Sequence, residues 1–127
     1  MTSSGKPHRF TLLQSFRCAL SGYPQAFATE RNIRIQAALG VLAVLLALLL
    51  RVDAVGWAVI VLAIGSVISA ELMNTAVESI VDLITEEHHP LAGKAKDVAA
   101  AAVLTVSITS AVAGIIVYIR ALSALIG

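Results

Sequence analysis

Cysteine and charge are both scarce in this sequence. Cys18 is the single cysteine, so no disulfide can form within the chain and no metal-binding cysteine spacing exists. Only 13% of the residues are charged, against roughly a quarter in an ordinary soluble domain. A formal net charge of +1 offers little to the phosphate backbone of nucleic acid, and no nucleic-acid partner is expected. The first 30 residues hold prolines, glycines and scattered charges in place of a continuous apolar core with a small-residue cleavage site. No cleavable signal peptide is expected from them. There is no internal repeat and no low-complexity segment, so residues 1–127 read as one domain.

What is present is hydrophobic: 58% of the residues, gathered into runs. Val98 to Ile119 is about 22 residues without a charge, enough for a helix to cross about 30 Å of hydrocarbon. Ala54 to Ala70 is a second uncharged run, prolonged by a polar stretch. Ile35 to Leu50 is a third, and Arg34 and Arg51 can snorkel from its ends. Upstream, Phe10, Leu13, Phe16, Leu20, Tyr23 and Phe27 recur at helical spacing, with Gln14, Arg17, Ser21 and Gln25 between them. That pattern is an amphipathic helix suited to a membrane surface. Gly22 and Pro24 are expected to kink or break it, and Met1 to Lys6 are expected to be disordered. The reading is an all-α membrane protein. It has a surface helix over 7–28 and spans at about 33–50, 54–84 and 97–120, joined by a hydrophilic loop "TEEHHPLAGKAKD".

Charge placement orients the chain. Lys6, Arg9, Arg17, Arg31 and Arg34 precede the first span, and Lys94 and Lys96 lie between the second and third. The positive-inside rule then places the N-terminus and the second loop in the cytoplasm and the C-terminus outside. Trp57 and Tyr118 are expected as interface anchors.

The second span carries an anomaly, "ISAELMNTAVESIVDLI". A carboxylate at the centre of a bilayer helix costs about 2.5–3.5 kcal/mol on insertion scales. Yet Glu71, Asn74, Glu78 and Asp82 follow one another at intervals of three or four residues. At about 100° per residue they occupy a sector of roughly 80°, along about 16 Å of helix. Such a stripe must face other helices or a wet cavity. Two carboxylates a heptad apart, with an amide between, suit a hard cation such as magnesium, which keeps water and phosphate as its other ligands. Lys94 and Lys96 can supply positive charge for phosphate, or serve only as topology anchors. Asn74 and Ser79 can equally be hydrogen-bonding glue between helices. His88 and His89 read as solvated loop residues. The combination points to phosphoryl transfer at the membrane face, without the G-x-x-x-x-G-K-[ST] loop or any soluble-kinase signature.

The same residues carry a resemblance. "AFATERNIRIQ", "AELMNTAVESIVDL" and "HPLAGKAKDVAAAAVL" resemble the prokaryotic diacylglycerol kinase family, which includes the undecaprenol kinases, from about Phe10 to the end of the third span. The resemblance implies a homotrimeric integral-membrane lipid kinase of the bacterial cytoplasmic membrane, with its active site on the cytoplasmic side. Its donor is Mg-ATP and its acceptor a lipid hydroxyl. It implies Glu71 as the catalytic carboxylate, and Glu30 and Glu78 as the acids holding Mg2+ on ATP. Asn74 stands beside them as the motif amide. Lys96 and Asp97 correspond to a nucleotide-contacting pair, and Glu87, His89 and Gly93 to the loop over the nucleotide. The family often has tyrosine where Cys18 stands and arginine where Thr11 stands. Cys18 is therefore not carried over, and Arg9, two residues before Thr11, is the candidate for the arginine's nucleotide contact. "TERN" and "HPLAGKAKDVAA" are more similar to the undecaprenol-kinase branch, which favours undecaprenol as the lipid and leaves diacylglycerol as the alternative.

Two rival classes stand beside the lipid kinase. One is a small cation- or proton-coupled transporter subunit using the same acids, although a transporter distributes polar groups over more than one helix at the midplane. The other is a membrane-assembly protein without chemistry.

Overall fold

The computed structural model describes residues 9–127, and the N-terminal stretch expected to be disordered lies outside that range. Four helices follow one another: α1 (Leu12–Thr29), α2 (Arg31–Leu49), α3 (Ala54–Ile84) and α4 (Pro90–Ile126). There are no strands among the described residues. Helices α2, α3 and α4 are each long and apolar enough to cross a membrane. The fold is therefore all-α, with one N-terminal helix and three candidate spans.

The expected start of the surface helix at residue 7 lies outside the described residues, and α1 begins at Leu12, after Phe10, the first residue of the periodicity. The cause is local. Thr11 and Gln14 form a capping box: Gln14 N donates to Thr11 Oγ1 at 3.2 Å, and Thr11 N donates to Gln14 Oε1 at 2.8 Å. The expected break at Gly22 and Pro24 does not occur, because α1 is continuous through Pro24. The carbonyl that Pro24 leaves without a donor belongs to Leu20, which is exposed and open to water or headgroups. The apolar face of α1 is uncovered by protein, with Phe16, Leu20 and Tyr23 all exposed and only Ala26 buried. An uncovered apolar face of this kind is what a membrane surface accommodates.

The chain breaks helical geometry at Glu30, whose backbone is extended. Arg34 Nη1 braces the corner by donating to the Phe27 carbonyl at 3.2 Å. At the other end of α2 the turn to α3 is tight. Arg51 adopts a left-handed φ of 52°, uncommon for a side-chain-bearing residue. Asp53 caps α3 by accepting from Gly56 N at 2.8 Å and reaches Arg120 Nη2 at 3.3 Å. Ala47, Val52 and Ile60 form the small buried core there, surrounded by Trp57, Val117 and Tyr118. Tyr118 is not simply an interface anchor: its hydroxyl donates across to the Ala43 carbonyl of α2 at 2.8 Å.

Helix α3 lies between α2 and α4 and packs more extensively against α4. Its buried positions are Gly56, Ile60, Val67 and Glu71. They fall within about 60° of one another on the helix, so Glu71 continues the apolar packing stripe. Helix α4 starts at Pro90, well before the expected residue 97, and continues to Ile126, beyond the expected 120. Pro90 is pre-organised for the first helical turn, and His89 Nδ1 accepts from Leu91 N at 3.1 Å. The expected hydrophilic loop therefore shrinks to residues 85–89, and Gly93, Lys96 and Asp97 ride on the first turns of a helix.

Helix length resolves the anomaly of acids in a spanning helix. About 20 residues of α3 suffice for the hydrocarbon. Counted from Ala54 beside the tight turn, that distance ends near Asn74. With that boundary Glu71 would lie just inside the hydrocarbon, and Glu78 and Asp82 would stand beyond it.

Candidate functional site

The site gathers at the end of the bundle far from the α2–α3 turn. Glu71 is 3% exposed, the one buried charged residue among those described. Its ionisable neighbours are Glu78 on its own helix and Glu30 at the α1–α2 corner, and Gln36 faces it from α2. No basic side chain is among these neighbours. Burial of an unpaired carboxylate beside two others is unfavourable for the fold alone. Glu30 makes no side-chain capping bond, so its carboxylate is not committed to holding the helix end.

Asn74 lies one turn beyond Glu71 and donates from Nδ2 to Glu78 Oε1 at 3.3 Å, while its Oδ1 is buried without a partner. Glu71 and Asn74 open into a cavity of about 310 Å³ walled by α2 and α4, with Asn32, Gln36 and Ser107 among its lining. The polar stripe thus divides by depth. Glu71 is buried, Asn74 and Glu78 are half-buried, and Asp82 is exposed.

A second depression, about 240 Å³, lies at the outer end of α3 and the start of α4. Asp82, Glu87, His89, Gly93 and Lys96 all line it. Lys96 Nζ binds Asp82 Oδ1 at 2.6 Å, linking the two helices. Lys96 also lies within electrostatic reach of Glu78, which connects this depression to the acid cluster. Lys94 and Asp97 are exposed on α4. Arg9 is exposed ahead of α1 and makes no ion pair among the described residues.

The structure therefore brings Glu30, Glu71, Asn74 and Glu78 into one cluster and Glu87, His89, Gly93 and Lys96 into another beside it. It does not bring Arg9 or Asp97 to either. Sequence reading missed Gln36, Ser107 and the Asp82–Lys96 pair. Asn32 and Gln36, polar and four residues apart at the head of a span, were a signal for the first. Ser107 had none, because serine is ordinary in a membrane helix.

No three His, Cys, Asp or Glu side chains among the described residues are arranged to hold a metal unaided. The chemistry of Glu30 and Glu78 still fits a magnesium ion that takes its other oxygens from phosphate and water.

The family model of prokaryotic diacylglycerol kinase matches residues 17–118. An undecaprenol kinase of Bacillus subtilis is 39% identical over 117 residues, covering 90% of this chain and 95% of its own. A diacylglycerol kinase of Synechocystis is 46% identical over 104 residues, covering 81% of this chain and 59% of its own. The diacylglycerol kinase of Escherichia coli K12 is 35% identical over 91 residues, covering 72% of this chain and 75% of its own. The chain belongs to the prokaryotic diacylglycerol kinase family, a family of lipid kinases.

Proposed function

We propose that this protein transfers the γ-phosphoryl group of Mg-ATP to the primary hydroxyl of a membrane lipid alcohol, with undecaprenol as the preferred acceptor. The observation that carries the reading is Glu71, a buried carboxylate without a cation, opening into a cavity between three helices where α3 leaves the hydrocarbon. Glu71 accepts the proton of the lipid hydroxyl as the oxygen attacks the γ-phosphorus. The bond from that phosphorus to the oxygen bridging the β-phosphorus breaks, and ADP leaves. Glu30 and Glu78 would hold the magnesium, which neutralises charge on the phosphates. Glu87, His89, Gly93 and Lys96 form the nucleotide side of the site, with the Lys96 ammonium turning from Asp82 to phosphate. Arg9 and Asp97 would join them only after local movement. Most of the catalysis is positioning and charge neutralisation, as phosphoryl transfer requires.

The basic N-terminal segment and Lys94 and Lys96 support a cytoplasmic position for this end of the bundle under the positive-inside rule, where ATP is available. Undecaprenol is preferred over diacylglycerol for two reasons. The "TERN" and "HPLAGKAKDVAA" stretches resemble the undecaprenol branch, and the Bacillus subtilis relative matches over 95% of its length. The greater identity of the Synechocystis relative favours diacylglycerol as the second reading.

The test is purified protein in mild detergent with Mg-ATP and a panel of lipid alcohols that includes both. A phosphorylated lipid formed in equal amount with ADP is expected, fastest with undecaprenol. No phosphorylation of any lipid alcohol overturns the proposal. Faster turnover of diacylglycerol overturns only the choice of lipid.

A further inference from the structure

Ser107 has no part in the reaction just described. It lies on α4, on the face that also carries Ala100, Val103 and Leu104. Its Oγ is buried and makes no hydrogen bond. Its neighbours on the same helix behave otherwise. Thr105 and Thr109 spend their hydroxyls on the carbonyls of Ala101 and Thr105, at 2.8 and 3.1 Å, and Ser110 reaches the Ala63 carbonyl of α3 at 3.5 Å. Buried polar atoms without a partner are few in folded proteins, and each calls for a reason.

The surroundings supply one. Ser107 shares its cavity with Glu71 and with Asn74, whose Oδ1 is the other buried side-chain polar atom without a partner among the described residues. No lysine or arginine lines this cavity, so anchoring of the nucleotide falls to the neighbouring depression with Lys96, and this cavity is left for the acceptor. The rest of the wall is mainly apolar, with Ile35, Val103 and Leu104. A molecule that fits has a small polar end and an apolar body. Ser107 and Gln36 also line a second, larger space of about 380 Å³, an apolar groove that runs between α2, α3 and α4 as far as Tyr118. Ser107 therefore stands at the neck, where a polar cavity becomes an apolar groove.

We propose that Ser107 is a second hydrogen-bond partner of the acceptor lipid hydroxyl, holding its oxygen for attack while Glu71 takes its proton. An alcohol oxygen carries one proton and two lone pairs. The proton goes to the Glu71 carboxylate. One lone pair accepts from Ser107 Oγ–H. The other is left to form the bond to the γ-phosphorus. Ser107 keeps its own proton throughout, so its role is to orient the nucleophile, and the lipid chain leaves past it into the groove. The inference rests on the lipid-kinase reading and on Glu71 as its base.

The experiment uses Ser107→Thr, Ser107→Val and Ser107→Ala in the full-length protein, with undecaprenol and diacylglycerol as acceptors. Thr and Val have nearly the same shape, so any packing disturbance is common to both and only the hydroxyl differs. The Val and Ala variants are expected to lose about tenfold in kcat/KM for the lipid alcohol, the effect of one neutral hydrogen bond. Their KM for ATP stays at the wild-type value, and the Thr variant keeps most of the activity. Equal activities for Thr and Val overturn the inference, as does wild-type behaviour of the Ala variant. A parallel change in the ATP and lipid parameters also overturns it, since a structural role moves both. A wild-type protein inactive on every lipid alcohol overturns the proposed function itself, an outcome distinct from active wild type with indifferent variants.

Discussion

At the scale of single residues, Glu71 is the most informative side chain. Its burial among acids contributes nothing favourable to folding, and such local conflicts are expected where function requires them. Glu71→Gln keeps the shape and removes both the charge and the base. Lipid phosphorylation is expected to fall about 10²–10⁴-fold, the usual contribution of a positioned general base. Nucleotide binding should persist, and the variant should unfold at a higher temperature than wild type, because an unpaired buried charge has gone. Turnover within a few-fold of wild type would remove Glu71 from the role. Glu30→Gln and Glu78→Gln address the metal. Each is expected to shift the magnesium titration of activity to higher concentration, since each removes one anionic ligand from a site with few. An unchanged magnesium dependence in both would disprove a shared site.

Between elements, the far turn sets the packing that makes the cavity possible. Gly56, in the first turn of α3, has no room for a side chain. A Cβ there would collide with Val52 Cγ1 and stand 3.0 Å from Val117 Cγ1 of α4. Gly56→Ala therefore forces the tight turn or α4 outward. It is expected to destabilise the protein by about 1–3 kcal/mol, the usual cost of overpacking. Thermal unfolding in detergent measures the loss. Glu71 is 15 residues away, about 22 Å along the helix, so activity below the unfolding temperature should survive. The lengths of the elements matter as much as their contacts. Helices α3 and α4, with 31 and 37 residues, are longer than the roughly 20 that hydrocarbon requires, so Glu78, Asp82 and Lys96 at their adjoining ends can stand outside it.

At the scale of the whole molecule, one chain leaves much of its apolar surface uncovered by protein. Helix α4, 37 residues long, has no fully buried residue. Large apolar residues are exposed on all three spans, Leu42, Leu62 and Ile116 among them. Lipid can cover such surface, but the half-buried polar side chains Asn74 and Glu78 need protein or water. Further copies of the chain could cover the polar side, and Gly65, Ser66 and Ser69, exposed on the opposite side of α3, would allow another helix to approach closely there. A homotrimer is the expected assembly, following the family resemblance. Mass measurement in mild detergent alongside activity checks it. A fully active monomer would refute this arrangement.

Much of this protein is legible from its residues taken in order. Apolar runs of spanning length, the periodicity of the surface helix and the acid stripe on one helix are local patterns. Helical geometry converts them directly into structure, because a fixed rotation per residue decides which side chains share a face. The spacing of Pro90 after the acids also marks a helix start, although the polar residues that follow it disguise the helix as a loop. What the order of residues leaves open is what lies opposite a face. Spacing put the four polar positions on one face, and packing against α2 and α4 left Glu71 buried and Asp82 exposed. Residue spacing alone leaves Glu30 far from the stripe, and Lys96 separated from Asp82 by a turn and two helix ends. The corner at Glu30 and the return of α4 along α3 bring them in. Ser107 is the extreme case, one serine in an apolar helix. Its hydroxyl has meaning only because two other helices close a cavity around it, and neighbours across helices are decided by packing that no period within one helix encodes.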